Sequence, residues 1–448
     1  MLINDYFVVF LYIKLLLQLF LYLYKKTKMR LIIITLILII NFASIAQTKI
    51  GISGDINWLT TWTNFKPKNA DYKPANVILT NNIDTNTKFT SDNIYLLVGT
   101  VRVVNNATLT IEAGTVVRGE SKSSGALMVC KGSKIIANGS ESYPIVFTSD
   151  KSSFNRRAGD WGGLIILGDA PTNTFGNNST FGFDKHPIHN LYGGSKIDDD
   201  SGSLQFVRIE FGGKDDASGY SSNGISLAGV GSKTVLSNIM VSDSADDSFQ
   251  IYGGILNLNK VVSLRSSDDD FDFTEGAQCT IANGLAVRYP YITDPLRSRC
   301  LEIESYKKIA LFDPTKKKTK IELKNVTFLE NEVDDTNLIK EAIFLHEDAY
   351  LNLENVLVTG FKSFIAFDDF YFDKQNYKNV QIKNSVLDNC KTSFSDMNDT
   401  ATLDTEDMLS IIDEWFSNPK NNFTKSEIGF KNLFIEHELR KQPDFRIK

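Results

Sequence analysis

Between Val261 and Gly276 the chain reads VVSLRSSDDDFDFTEG, with Asp268, Asp269, Asp270 and Asp272 crowded among apolar residues. An earlier stretch, VSDSADDSFQIYGG, adds Asp246 and Asp247. Hard oxygen ligands at this density suit Ca²⁺, which takes six to eight oxygens and tolerates irregular geometry. The spacing matches neither an EF-hand loop nor a nonapeptide Ca²⁺ repeat. Paired carboxylates can also hydrolyse glycosides without a metal. A solvated acidic turn is the third reading, and residue types alone leave all three open.

The elements that must position these acids follow from an internal repeat. With a shift of 22, Ser232–Gly254 lies over the acidic stretch without a gap. Leu236 falls on Leu258, Ile239 on Val261, Met240 on Val262, Phe249 on Phe271 and Gly254 on Gly276. Asp246 falls on Asp268, Asp247 on Asp269, and Asp243 on Arg265, which predicts an exposed ion pair of little energetic value. A self-match at this period marks a solenoid, whose units bury their apolar faces only against neighbours.

The repeating segments are short and β-rich: LTIEAGTVV, ALMVC, PIVFTS, FVRIEFGG. Gly, Asn and Ser punctuate them and no helical period runs through. IELKNVTF, LNLENVLV and VQIKNSVL repeat at shifts of 30 and 29, each with an asparagine in one slot: Asn325, Asn355 and Asn384, with Asn238 in a similar context. Asparagine tolerates left-handed backbone, and stacked amides can hydrogen-bond from coil to coil. The expectation is an all-β, right-handed parallel β-helix over residues 96–392. Residues 47–95, with Trp58 and Trp62, are expected as an N-terminal cap. Residues 393–448 are expected as a helical C-terminal cap and tail, with Met408, Leu409, Ile412, Trp415 and Phe416 at helical spacing.

Equivalent residues of successive coils stack about 4.8 Å apart. Two carboxylates at about 5 Å repel by roughly 3 kcal/mol at an effective dielectric near 20, and by under about 1 kcal/mol in water. The cluster is therefore cheap only if it is exposed, protonated or neutralised. Asp246, Asp247, Asp268, Asp269, Asp270 and Asp272 form the candidate Ca²⁺ set; no organic cofactor is expected.

TLTIEAGTVVRG, GALMVCKGSKIIANG, YPIVFTSD, GDWGGLIILG, LQFVRIEFGG and DDSFQIYGG together resemble secreted bacterial proteins of the pectate-lyase-like β-helix superfamily, over roughly Val101 to Pro290. The resemblance implies fold and export, and brings no established reaction. That superfamily includes polysaccharide lyases and glycoside hydrolases. A lyase of this kind needs Ca²⁺-binding acids plus a base, for which Arg265 and Arg288 are the nearest candidates. The polygalacturonase pattern of N-T-D, D-D, G-H-G and R-I-K is matched here only by Asp246-Asp247. None of His186, His189, His346 and His437 has flanking glycine, and the R-I-K at Arg446–Lys448 ends the chain. Fold does not assign function.

The ends and the composition set the context. From Met29, one basic residue precedes the apolar run Leu31 to Ile40, and Ser44 and Ala46 stand at the −3 and −1 positions of a signal-peptidase site. Residues 1–46 are read as a mis-assigned start plus a signal peptide cut after Ala46. The alternative is an uncleaved anchor through Phe7 to Tyr24, which Lys14 and Gln18 interrupt. Cys130, Cys279, Cys300 and Cys390 are too few for a disulfide framework and are expected as buried thiols. Net charge of −6, with no basic patch, argues against nucleic acid and anionic membranes. The expected function is an exported, non-catalytic β-helix that binds an extracellular glycan or surface protein along its flat faces, in the manner of an adhesin. The alternative is a lyase or hydrolase acting on acidic polysaccharides through the acidic cluster.

Overall fold

The structure is a computed structural model. It describes residues 13–16, 18, 50–54, 56–177, 179–293, 298–330, 338–372, 374–396 and 422–448. The chain divides into two units, residues 1–48 and 49–448. In the first, the described residues, Ile13–Leu16 and Gln18, are helical. Among the described residues no helix is long and apolar enough to cross a membrane. The signal-peptide pattern and the amphipathic segment from Met408 to Phe416 lie outside the described residues.

The described residues of the second unit are built around a right-handed parallel β-helix. Each coil contributes strands to three faces. The coil that holds the acidic stretch shows the plan. Ile255–Leu264 supplies the first two faces and bends at Lys260, and Phe271–Thr274 supplies the third. An 18-stranded sheet covers the first two faces and a ten-stranded sheet the third. The shift of 22 is the pairing register itself: Leu236 pairs with Leu258, Ile239 with Val261 and Phe249 with Phe271. The later shifts hold as well, with Ile321 on Leu351 and Leu351 on Val380.

The bend between the first two faces explains the asparagines. Asn238, Asn283, Asn325, Asn355 and Asn384 all have φ between 45° and 59°, where a short polar side chain is tolerated. Asn384 Nδ2 donates to Asn355 Oδ1 at 2.6 Å, and Asn355 Nδ2 to Asn325 Oδ1 at 2.9 Å. Asn238 shares the backbone state but accepts from Ser237 Oγ instead. Inside the coils, Leu236, Ile239, Leu258, Val261 and Phe271 join one continuous core. Cys130, Cys279 and Cys300 are buried thiols; Cys390 is half-buried, and none forms a disulfide.

Two outer faces need cover, because their outward rows are apolar. On the second face Met240, Val262, Leu285, Leu329 and Leu357 point out of the coil. Ile52, Leu59, Trp62 and Phe65 from the N-terminal segment cover them, together with Leu433, Phe434 and Phe445 from the C-terminal segment. Trp62 is fully buried there and stacks on Trp58 at 6.4 Å. The tryptophans expected to cap the first coil are thus a lateral lid over later coils. The described tail adds a strand, Phe423–Ser426, a short helix, Phe430–Leu433, and an antiparallel pair, Phe434–Glu436 with Asp444–Ile447. On the third face the early outward residues Ala126, Met128, Ile165 and Leu167 are covered by Phe181, Phe183 and Tyr192 of an insert between Leu164–Leu167 and Gly202–Glu210.

Candidate functional site

The third face turns polar beyond that apolar stretch. Its strands put Ser226, Gln250, Asp272, Glu302 and Phe344 in one register row, coil upon coil. Alternation explains the row: Phe249, Ile251, Phe271, Phe273, Leu301 and Ile303 point into the core, so the residues between them point out. Glu304 and His346 follow directly after their strands. His346 Nε2 lies 3.2 Å from Glu302 Oε1 and 3.9 Å from Glu304 Oε2, and its ring stacks on Phe344 at 4.3 Å. Lys307 Nζ sits 5.0 Å above the Tyr252 ring, and the Tyr252 and Tyr220 hydroxyls meet at 3.3 Å.

Turns leading into these strands carry the acidic stretch, and the six candidate ligands separate there. Asp246, Asp247 and Asp268 converge, each offering a carboxylate oxygen within 4.8 Å of the others. Asp269 is adjacent but spoken for: its carboxylate accepts the Arg299 backbone N–H, while its own N–H donates to Asp247 Oδ1 at 3.0 Å. Asp247 and Asp269 thereby tie their turns to the next coil. Asp272 stands in the row, 3.9 Å from Lys307. Asp270 leaves the set altogether. It turns inward to Arg288 at 3.0 Å, with neither side chain exposed, and takes a further hydrogen bond from Ser263. Its neighbours alternate with it in direction, as a strand entry requires.

The electrostatics follow from packing like charges in a half-buried place. Burial pushes Asp246 up to about 6, against the pull of Lys307. Burial pushes Asp272 up to about 7; Lys307 opposes the shift while Glu304 and Glu302 add to it. Asp247 is raised further, by burial and then by Asp246, Asp272 and Asp268. Glu302 goes the other way. Burial would raise it, but the His346 hydrogen bond and the Arg299 guanidinium hold it down at about 2. The same contacts with Glu302 raise His346 despite its burial.

Two sequence expectations change. Arg265 and Asp243 do stack, at 2.9 and 2.8 Å, but the pair is largely buried beside Tyr289 instead of exposed. Arg288 is fully buried against Asp270. Both arginines considered as a lyase base are therefore engaged by carboxylates of their own. Conversely, Arg299, Glu302, Glu304 and Lys307 were not among the residues singled out from the sequence, and His346 entered there only as a histidine without flanking glycine. The alternation in LEIE, Leu301 to Glu304, was their signal, but the loop from Ser305 to Thr319 breaks the repeat after it.

A family model of a pectate-lyase like beta helix domain matches residues 81–430. The chain belongs to that family. No curated protein and no solved structure matches the chain. In this pectate-lyase like domain the row is buried at Ser226, Gln250 and Phe344 and half-buried at Asp272 and Glu302.

Proposed function

We propose that this is an exported, non-catalytic β-helix protein that binds an extracellular acidic glycan on its third face. The observation that carries the reading is the convergence of Asp246, Asp247 and Asp268 next to the outward row of Gln250, Asp272 and Glu302. Carboxylates this close, with protonation pushed toward neutral pH, favour a divalent cation over bare ionisation. A hard, oxygen-seeking ion such as Ca²⁺ fits the donor set. Three carboxylates leave part of its coordination to water or to a glycan's own carboxylate, so the ion would bridge protein and polymer. Export rests on the pattern from Met29 to Ala46, and a mature protein beginning at Gln47 would support it.

A second reading, glycoside hydrolysis, is favoured by one observation: Asp272 and Glu302, neighbours in one row, are pushed to opposite ends of the carboxylate range. That split is the requirement for an acid and a base at one pH. Incubation with polygalacturonate and alginate, with calcium or with chelator, separates the readings. Calcium-dependent retention of intact polymer supports binding. New reducing ends support hydrolysis. Neither retention nor cleavage of either polymer would contradict both.

A further inference from the structure

A cleft lies where the lateral lid meets the coils. It is an open cleft of about 380 Å³, within the range of small-molecule sites, about 300–1,000 Å³. Three distant segments build it: Phe65 and Lys66 from the lid, Arg265 and Tyr289 from adjacent coils, and Leu439 and Arg440 from the C-terminal segment. Lys66 Nζ donates to the Arg440 carbonyl at 2.7 Å and ties two walls together. The Arg265 guanidinium lies 5.8 Å from the Tyr289 ring centroid, fixed by both oxygens of Asp243. Arg265 is thus neutralised. Lys66 and Arg440 are exposed at the rim, and among the described residues neither forms an ion pair. In a chain of net charge −6, the residues that line this cleft include three cations and no carboxylate.

We infer that this cleft is a second binding site, selective for a small carboxylate carried on a ring, an acidic sugar unit. The carboxylate meets Lys66 and Arg440 at the rim, where charge-assisted hydrogen bonds are strongest. The ring lies over the half-buried Tyr289 and Leu439, with the buried Phe65 beneath them as the floor. The site needs no metal, so it stands apart from the cation-dependent binding proposed for the third face.

The test is a calorimetric titration of the mature chain with digalacturonate in excess chelator, beside galactobiose and inorganic phosphate. Saturable digalacturonate binding is expected, at least tenfold tighter than either control. Arg440→Ala with Lys66→Ala should weaken it at least tenfold, and Asp246→Asn with Asp268→Asn should leave it unchanged. Arg440→Ala alone tests the rim without disturbing the Lys66 contact, and its melting temperature should equal wild type. Equal affinity for galactobiose, equal affinity for phosphate, or binding that survives both rim substitutions would overturn the inference. Chelator in every titration keeps the outcome separate from any failure of the third-face proposal.

Discussion

Asp270 and Arg288 meet inside the coil wall with neither side chain exposed. Arg288 also donates to the Arg299 carbonyl at 2.8 Å, so it ties neighbouring turns. Removing one partner leaves an uncompensated buried charge. Arg288→Met should therefore cost about 3–5 kcal/mol in denaturant unfolding, and adding Asp270→Asn should recover part of it. The acidic row makes a second prediction, of pH dependence. An unfolded aspartate ionises near pH 4, whereas Asp246 and Asp272 hold their protons to about 6 and about 7. The folded chain binds more protons across that window, so stability falls as pH rises through it. His346, raised by Glu302, acts in the same sense: its stabilisation is present below its unfolded value and lost as pH rises through the folded one. Glu302 contributes stability present above its unfolded value of 4.5 and lost only as pH falls toward about 2. In chelator, the melting temperature should be higher at pH 5 than at pH 8, and Asp272→Asn should flatten the slope. A melting temperature that rises from pH 5 to pH 8 would refute the assignment.

At the scale of the coil, the strands and their register were legible in the sequence because a gapless shift stacks like on like. Phe249 over Phe271, with rings 5.0 Å apart, is what that shift predicts. The asparagine slot was legible for the same reason. Asn355 both donates to Asn325 and accepts from Asn384, at φ 58°. Asn355→Ala should cost about 2–3 kcal/mol, from left-handed strain of about 1–2 kcal/mol and a net hydrogen-bond loss of about 1 kcal/mol. Asn355→Gly should cost less, because glycine removes only the amide. Equal losses in thermal unfolding would mean that backbone strain plays no part. The candidate site was legible only in part. The shift of 22 brought Asp246, Asp247 and Asp268 together, but stacking says nothing about which way each carboxylate turns. Direction depends on the strand entry at Asp270 and on Arg288 and Arg299 beyond it, which a pairwise shift cannot reveal. Glu302 and His346 come from coils whose loops change length, so no constant period reaches them.

At the scale of the whole β-helix, the outward faces decide where ligands can go. Apolar outward rows are sealed by the lateral lid on the second face and by the insert on the early third face. The later third face is polar, with Asp272, Glu302 and His346 half-buried. The lid's placement escaped the sequence because Trp58 and Trp62 sit near the N-terminus, while the rows they cover run from Met240 to Leu357. Trp62→Ala should destabilise the fold by about 3–5 kcal/mol, and a near-neutral effect in denaturant unfolding would show that the lid is not part of the cooperative unit. The central claim is that Asp246, Asp247 and Asp268 hold a divalent cation that joins two coils and receives a glycan. A ligand bound only by the folded state raises stability by RT ln(1 + [L]/Kd), about 2.7 kcal/mol at a hundredfold excess over Kd. The direct measurement is the melting temperature of the mature chain at pH 7.5 in calcium and in chelator, for wild type and for Asp246→Asn with Asp268→Asn. Calcium should raise the wild-type value by several degrees and leave the variant unmoved. A wild type indifferent to calcium, with a variant at least as stable, would contradict the claim and leave a protonated acidic turn in its place.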